Sequence, residues 1–175
     1  MSPINLLILG VLIEKSMNAY ELNKFIQNSH INKMIKISVP AVYKNILKLN
    51  SQGYVAKAVK SENETEKTVY FITQEGREHF KQLMYKFVNN DVKFHFDFNS
   101  FIINIHHVPK KDGLLMLEAL KKQFYSRKEA LEYEREIYSP VLSPSLSTIY
   151  KQQYMITQTM INWVEAFIEE YGVSG

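Results

Sequence analysis

The period of the apolar residues changes once between Ser38 and Ile72, and that change constrains the fold more than any other feature of the chain. In SVPAVYKNILKLNSQG, Val42, Ile46 and Leu49 fall at i, i+4 and i+7, one stripe of a helix. Ser38 stands where an N-cap belongs, Pro40 suits the first turn, and Gly53 supplies a residue to end the helix. YVAKAVK and KTVYFIT come next, two β-favouring runs around the polar SENETE, so a hairpin should follow the helix. Ser38, Ala41, Lys44, Asn45 and Lys48 lie off the apolar stripe and form a polar surface that needs a purpose.

Two helices are expected before this one. SPINLLILGVLIEKS reads as a largely buried helix capped by Ser2, with Pro3 in its first turn. In MNAYELNKFIQNSH, Asn18 and Glu21 have the spacing of a capping box, and Leu22, Phe25 and Ile26 make an apolar face. A further helix is expected over QEGREHFKQLMYKFVNNDV. Three short helices followed by a two-stranded hairpin is the winged helix-turn-helix order, in which the third helix enters a major groove.

The second half is helical. FHFDFNSFIINIHH is ambiguous, because Phe94, Phe96 and Phe98 alternate like a strand, but helix is the expected state. Pro109 opens a long helix to about Tyr138, and SPVLSPS makes a turn with two prolines. From Ser145 to Tyr171 two apolar seams run together. Leu146, Ile149, Gln153, Ile156, Met160, Trp163 and Phe167 form one, and Tyr150, Tyr154, Thr157, Ile161, Val164, Ile168 and Tyr171 form the other. Both advance by alternating steps of three and four, so one seam can cover its own domain while the other meets a second chain. The alternative is a central helix buried within one monomer, but the region offers little else to bury both seams. The expected architecture is mostly α with a small β-hairpin wing: a winged helix-turn-helix domain over residues 1–86 and an α-helical dimerisation domain over residues 87–175, joined through Leu146, Ile149, Ile156, Met160, Trp163 and Phe167.

Charge divides the same way. Residues 1–86 carry twelve Lys and Arg against seven Asp and Glu, a balance of +5, while residues 87–175 carry nine against eleven, a balance of −2. A basic N-terminal half suits an anionic partner, with an ordinary solvated surface as the plainer alternative. There is no cysteine, which excludes disulfides, zinc-thiolate sites and thiol nucleophiles. The N-terminal apolar run has no basic segment before it, is broken by Gly10 and ends at Glu14, so neither a signal peptide nor a membrane span is expected, and a cytoplasmic protein is.

LLILGVLIEKSMNAYELNKFI, ISVPAVYKNILKLNSQGYV and TVYFITQEGREHF together resemble the PadR family of bacterial transcriptional regulators. The likeness spans most of the first 85 residues, with Leu9, Gly10, Val11, Leu12, Tyr20, Glu21, Leu22, Ser38, Tyr43, Leu49, Gly53, Tyr70, Thr73, Gly76 and Arg77 as its signposts. The second half is similar in pattern to the longer, virulence-activator-like members. The resemblance implies a dimeric regulator that binds double-stranded operator DNA, probes it with Tyr20, Ser38, Val39, Pro40, Ala41, Tyr43, Lys44 and the wing, and in some members answers to phenolic or drug-like compounds. Three departures stand out. Asn18-Ala19 replaces the family's usual His-Gly, Val39-Pro40-Ala41 replaces Pro-Gly-Ser/Thr, and the wing carries Glu62, Glu64 and Glu66 in place of Gly and Arg. The acidic tip would repel phosphate, which leaves Lys57, Lys60 and Lys67 as the wing contacts. Leu47 stands where relatives usually carry a polar residue; it would touch a thymine methyl or pack under the wing.

Individual residues carry plainer readings too. Lys44 and Lys48 are phosphate contacts or a solvated helix face. Asn45 is the expected base reader, since its amide can bond adenine N6 and N7 together, or it is a plain surface amide. Phe101, Phe124, Tyr154 and Trp163 would line a site for a flat aromatic effector, or are simply core and interface. His95, Asp97, His106 and His107 lack the spacing of a metal site, so neither metal nor cofactor is expected. No phosphate loop or nucleophile elbow is present, and an enzyme is not expected. The sequence-level reading is a DNA-binding transcriptional regulator, a repressor on a palindromic operator released by an effector. The alternative is a winged-helix adaptor that binds protein without DNA.

Overall fold

A computed structural model describes residues 3–29, 31–35, 37–62, 65–138, 140 and 142–173. The chain is mostly helical with a small antiparallel hairpin, and it divides into two units, Met1–Val92 and Lys93–Gly175. The expected Ser2 cap and the Glu64 position lie outside the described residues, as does the Glu62 side chain.

The first unit is a winged helix. Helix α1 (Pro3–Glu14) buries Ile8, Leu9, Val11 and Leu12. Helix α2 (Ala19–Asn28) starts on a complete capping box, in which Asn18 Oδ1 accepts from the Glu21 amide at 2.8 Å and Glu21 Oε2 accepts from the Asn18 amide at 3.0 Å. Leu22 and Ile26 of α2 are buried, but Phe25 is exposed, because a one-turn stripe has room for the i and i+4 positions and leaves i+3 at its edge. A four-residue helix, α3 (Ile31–Met34), follows. The helix expected as the third is therefore the fourth, α4 (Val39–Ser51), with Val42, Ile46 and Leu49 in the core as its stripe requires.

Helix α4 ends by handing the chain to the hairpin. Gly53 takes φ +78°, its amide donates to the Asn50 carbonyl at 3.1 Å, and the Tyr54 amide donates to the Leu49 carbonyl at 3.0 Å. These are the paired bonds of a Schellman motif, which needs a residue at ease in the left-handed region. Strands β1 (Val55–Glu62) and β2 (Thr65–Ile72) then pair antiparallel from Val55↔Ile72 outward. The base of the hairpin is fixed from three sides. Asn50 Nδ2 donates to the Val55 carbonyl at 2.8 Å, Thr73 Oγ1 donates to the Gly53 carbonyl at 2.7 Å, and Met17 exchanges two backbone bonds with Tyr70. Thr73 also caps α5 (Gln74–Val88), accepting from the Gly76 amide at 3.0 Å.

In the second unit, residues 93–96 form neither strand nor helix, and the expected helix is confined to α6 (Asn99–Asn104) with a 3-10 turn at Ile105–His107. Long helices α7 (Lys110–Tyr138) and α8 (Pro144–Val173) pack side by side. Ser143 opens α8, its hydroxyl and carbonyl accepting from the Leu146 and Ser147 amides. Of the two-proline turn before it, Ser139 and Val141 lie outside the described residues. Among the described residues no helix is long and apolar enough to cross a membrane.

Candidate nucleic-acid interface

The side chains of α4 fall into rows four residues apart. Val42 and Ile46 belong to the buried row, joined by Leu49 from its neighbour. Ala41 and Asn45 flank that core and are half-buried. Asn45 Nδ2 donates to the Ala41 carbonyl at 2.7 Å, so one of its two N–H groups is engaged within the helix. Two rows face outward: Pro40, Lys44 and Lys48 on one, and Val39, Tyr43 and Leu47 on the other. Leu47 is 58% exposed, so it does not pack under the wing. Ser38 holds the N-cap position with extended backbone, and its carbonyl accepts from the Ala41 and Val42 amides at 3.0 and 3.2 Å. Its hydroxyl makes no capping bond, contrary to expectation, so the cap is made by the backbone and Pro40. Tyr20, in the first turn of α2, projects outward at 64% exposure.

The hairpin register sorts the wing lysines. Lys60 lies directly opposite Lys67 on one face of the ribbon, while Lys57 pairs with Tyr70 on the other. All three are exposed, but the pleat divides them, so they do not make one patch. Two cations directly across a ladder repel one another.

In the helical unit the two seams of α8 have different fates. Tyr150, Thr157, Ile161 and Val164 of the second seam are buried, with Tyr154, Ile168 and Tyr171 half-buried. Every member of the first seam, Leu146, Ile149, Gln153, Ile156, Met160, Trp163 and Phe167, remains half-buried. Phe101, Phe124 and Trp163 pack around a small core of Ile105, Leu117 and Val164, with Phe98 wedged between Phe124 and Trp163 at centroid distances of 5.5 and 5.7 Å. Tyr154 is not part of that cluster; its ring lies under the Lys128 ammonium at 5.5 Å.

A separate apolar groove of about 360 Å³ is lined by Phe94, Phe96, Met155, Ile156, Thr159 and Met160. Of the residues expected to carry function it contains Ile156 and Met160 alone. Its signal in the sequence was the alternation of Phe94 and Phe96, two rings that line the groove from a segment that is neither strand nor helix. Among the described residues, no group of three or more His, Cys, Asp or Glu is placed to hold a metal ion, and His106 and His107 simply lie ring to ring. Across α7 and α8, the Tyr125 hydroxyl donates to Glu165 at 2.8 Å, and that bond raises the Tyr125 pKa above the usual phenol value.

Residues 8–82 match the sequence model of the transcriptional regulator PadR-like family. No curated protein matches the chain. Solved structures do. Bacillus subtilis PadR in complex with operator DNA superimposes with a TM-score of 0.76 at 14% identity, over 97% of this chain and 99% of that one. The same protein bound to p-coumaric acid gives 0.76 at 11% identity, over 98% of each chain. The Vibrio cholerae virulence activator AphA gives 0.69 at 19% identity, over 98% of this chain and 99% of that one. The chain thus has the winged helix-turn-helix fold of the PadR-like regulators, with the helical unit included.

Proposed function

We propose that the chain is a PadR-type transcriptional regulator that binds double-stranded operator DNA as a homodimer. The observation that carries this reading is the outward face of α4, where Lys44 and Lys48 project from a helix whose opposite face completes the core. A major groove admits one such helix, and the lysines would meet phosphates at its edges. Tyr20, the Ser38 hydroxyl, Val39, Ala41 and Tyr43 complete the surface, and Lys57 on one face of the wing and Lys60 and Lys67 on the other extend it along the hairpin. Asn45 is half-buried with one N–H engaged by Ala41, so the two exposed rows are proposed to lead base reading, with the second N–H and Oδ1 of Asn45 left for adenine.

The half-buried first seam of α8 supports the homodimer, with Leu146, Ile149, Ile156, Met160, Trp163 and Phe167 covered by a second copy. Leu115, Tyr133, Ile137 and Met155 leave further apolar surface on the same unit for that purpose. An effector of flat aromatic chemistry is proposed from the likeness to p-coumarate-bound PadR. It would act by binding one arrangement of the dimer better than the other. Repression follows where the operator overlaps a promoter. The residues of the longer, virulence-activator-like type remain a likeness of pattern and enter the proposal only through the helical unit.

Selection of duplexes from a random library by the full chain tests the reading. The expected product is an inverted repeat with half-sites one helical turn apart. Failure to enrich any duplex with folded protein would contradict it. The exposed row of Val39, Tyr43 and Leu47 favours a second reading, an adaptor that docks protein on α4; Lys44 and Lys48 beside it weigh against that.

A further inference from the structure

We infer that Leu47 determines sequence specificity by packing against the C5 methyl of a thymine in each half-site; this rests on the reading of α4 as the DNA-facing helix. Val39, Tyr43 and Leu47 form one continuous ridge at steps of four, 41, 38 and 58% exposed respectively. The ridge is not displaced core. Val42, Ile46 and Leu49 already fill the inward face of the same helix and are fully buried. Leu47 projects from the middle of α4, with Lys44 one turn before it and Lys48 beside it. An apolar knob set among cations fits a polyanion that displays an apolar feature.

In a duplex, the groove wide enough for a helix presents one purely apolar group at its base edges, the thymine methyl. The polar side chains of this helix read by hydrogen bonds instead, and one N–H of Asn45 is engaged by the Ala41 carbonyl at 2.7 Å. A leucine has no donor or acceptor to satisfy. It therefore discriminates by contact with the methyl and by exclusion from positions where a base edge would be left without its water. The required operator has a T·A pair at one fixed position in each half-site, with the methyl pointing into the major groove.

The test uses a duplex obtained by selection with the full chain, resynthesised with deoxyuridine at each thymine in turn. Uracil keeps every hydrogen-bonding edge of thymine and removes the methyl alone. At one position per half-site the parent should bind about fourfold more weakly, the factor associated with burying one methyl carbon. Leu47→Ala should bind the thymine duplex more weakly by at least that factor and be indifferent to the uracil exchange. A parent that tolerates uracil at every position, yet binds with a steep salt dependence, would overturn the inference and leave DNA binding standing. Leu47→Ala that keeps the parent's uracil sensitivity would overturn it as well. A chain that selects no duplex, but whose Leu47→Ala variant loses a protein partner, would overturn both this inference and the reading beneath it.

Discussion

Lys44 and Lys48 occupy one outward row of α4, and neither has a structural duty in the core. Lys48→Ala should therefore weaken specific and non-specific binding alike and lower the salt slope by about one unit per half-site. Filter binding across a salt series reads both effects. Asn45 differs, because its side chain already has a partner in Ala41. Asn45→Ala should leave base discrimination unchanged. A loss of about 1–3 kcal/mol at a single base pair would show instead that the amide reads a base with its Oδ1 and second N–H. Two glycines in the winged helix offer a contrast in stability. Gly53 has open space around its missing side chain but φ +78°, so Gly53→Ala should cost about 1 kcal/mol through backbone strain. At Gly76 an added methyl would overlap the Tyr54 carbonyl, which already accepts from the Thr73 amide at 3.1 Å. Gly76→Ala should cost more, about 1–3 kcal/mol or beyond, and thermal denaturation of the two variants should rank them in that order.

The elements differ in how plainly the sequence announces them. The helix-to-hairpin passage through α4, β1 and β2 is legible because two periods and a glycine turn meet within one stretch, and the α8 seams are legible because steps of three and four persist over many turns. Helix α3 was not legible, since four residues make one turn and one turn has no period. Residues 94–98 were expected as helix, but helix starts only at Asn99, and Phe94 and Phe96 instead line a groove from a segment that is neither strand nor helix. The site was half legible. Spacing separated the inward stripe of α4 from its lysines, but it could not foresee that Asn45 would turn back on Ala41, because a rotamer choice leaves no trace in spacing. For α8 the consequence is a test of association. Trp163 is half-buried in one chain, so Trp163→Ala should approach the cost of about 3–5 kcal/mol typical of a buried tryptophan only if a second copy covers it. The loss in melting temperature should then depend on protein concentration. Truncation after Pro144 should abolish the dimer by light scattering, and a truncated chain that remained a well-folded dimer would exclude α8 as the dimer element.

At the scale of the whole molecule, charge and apolar surface are divided between the two units. The winged helix carries the positive balance and the outward lysines; the helical unit carries the half-buried seam. This division of labour suits a regulator in which one unit grips an anionic duplex and the other pairs with its copy. The proposed grip is electrostatic and comes from Lys44 and Lys48 of α4 together with the wing lysines. It is tested most directly by the affinity of the full chain for its selected duplex as a function of salt. If Lys44, Lys48, Lys57, Lys60 and Lys67 of two protomers each neutralise a phosphate, log affinity should fall against log salt with a slope of about −9, and double-strand competitors of random sequence should show a similar dependence at lower affinity. Duplex binding that is absent, or that is unchanged between low and high salt, would contradict the account.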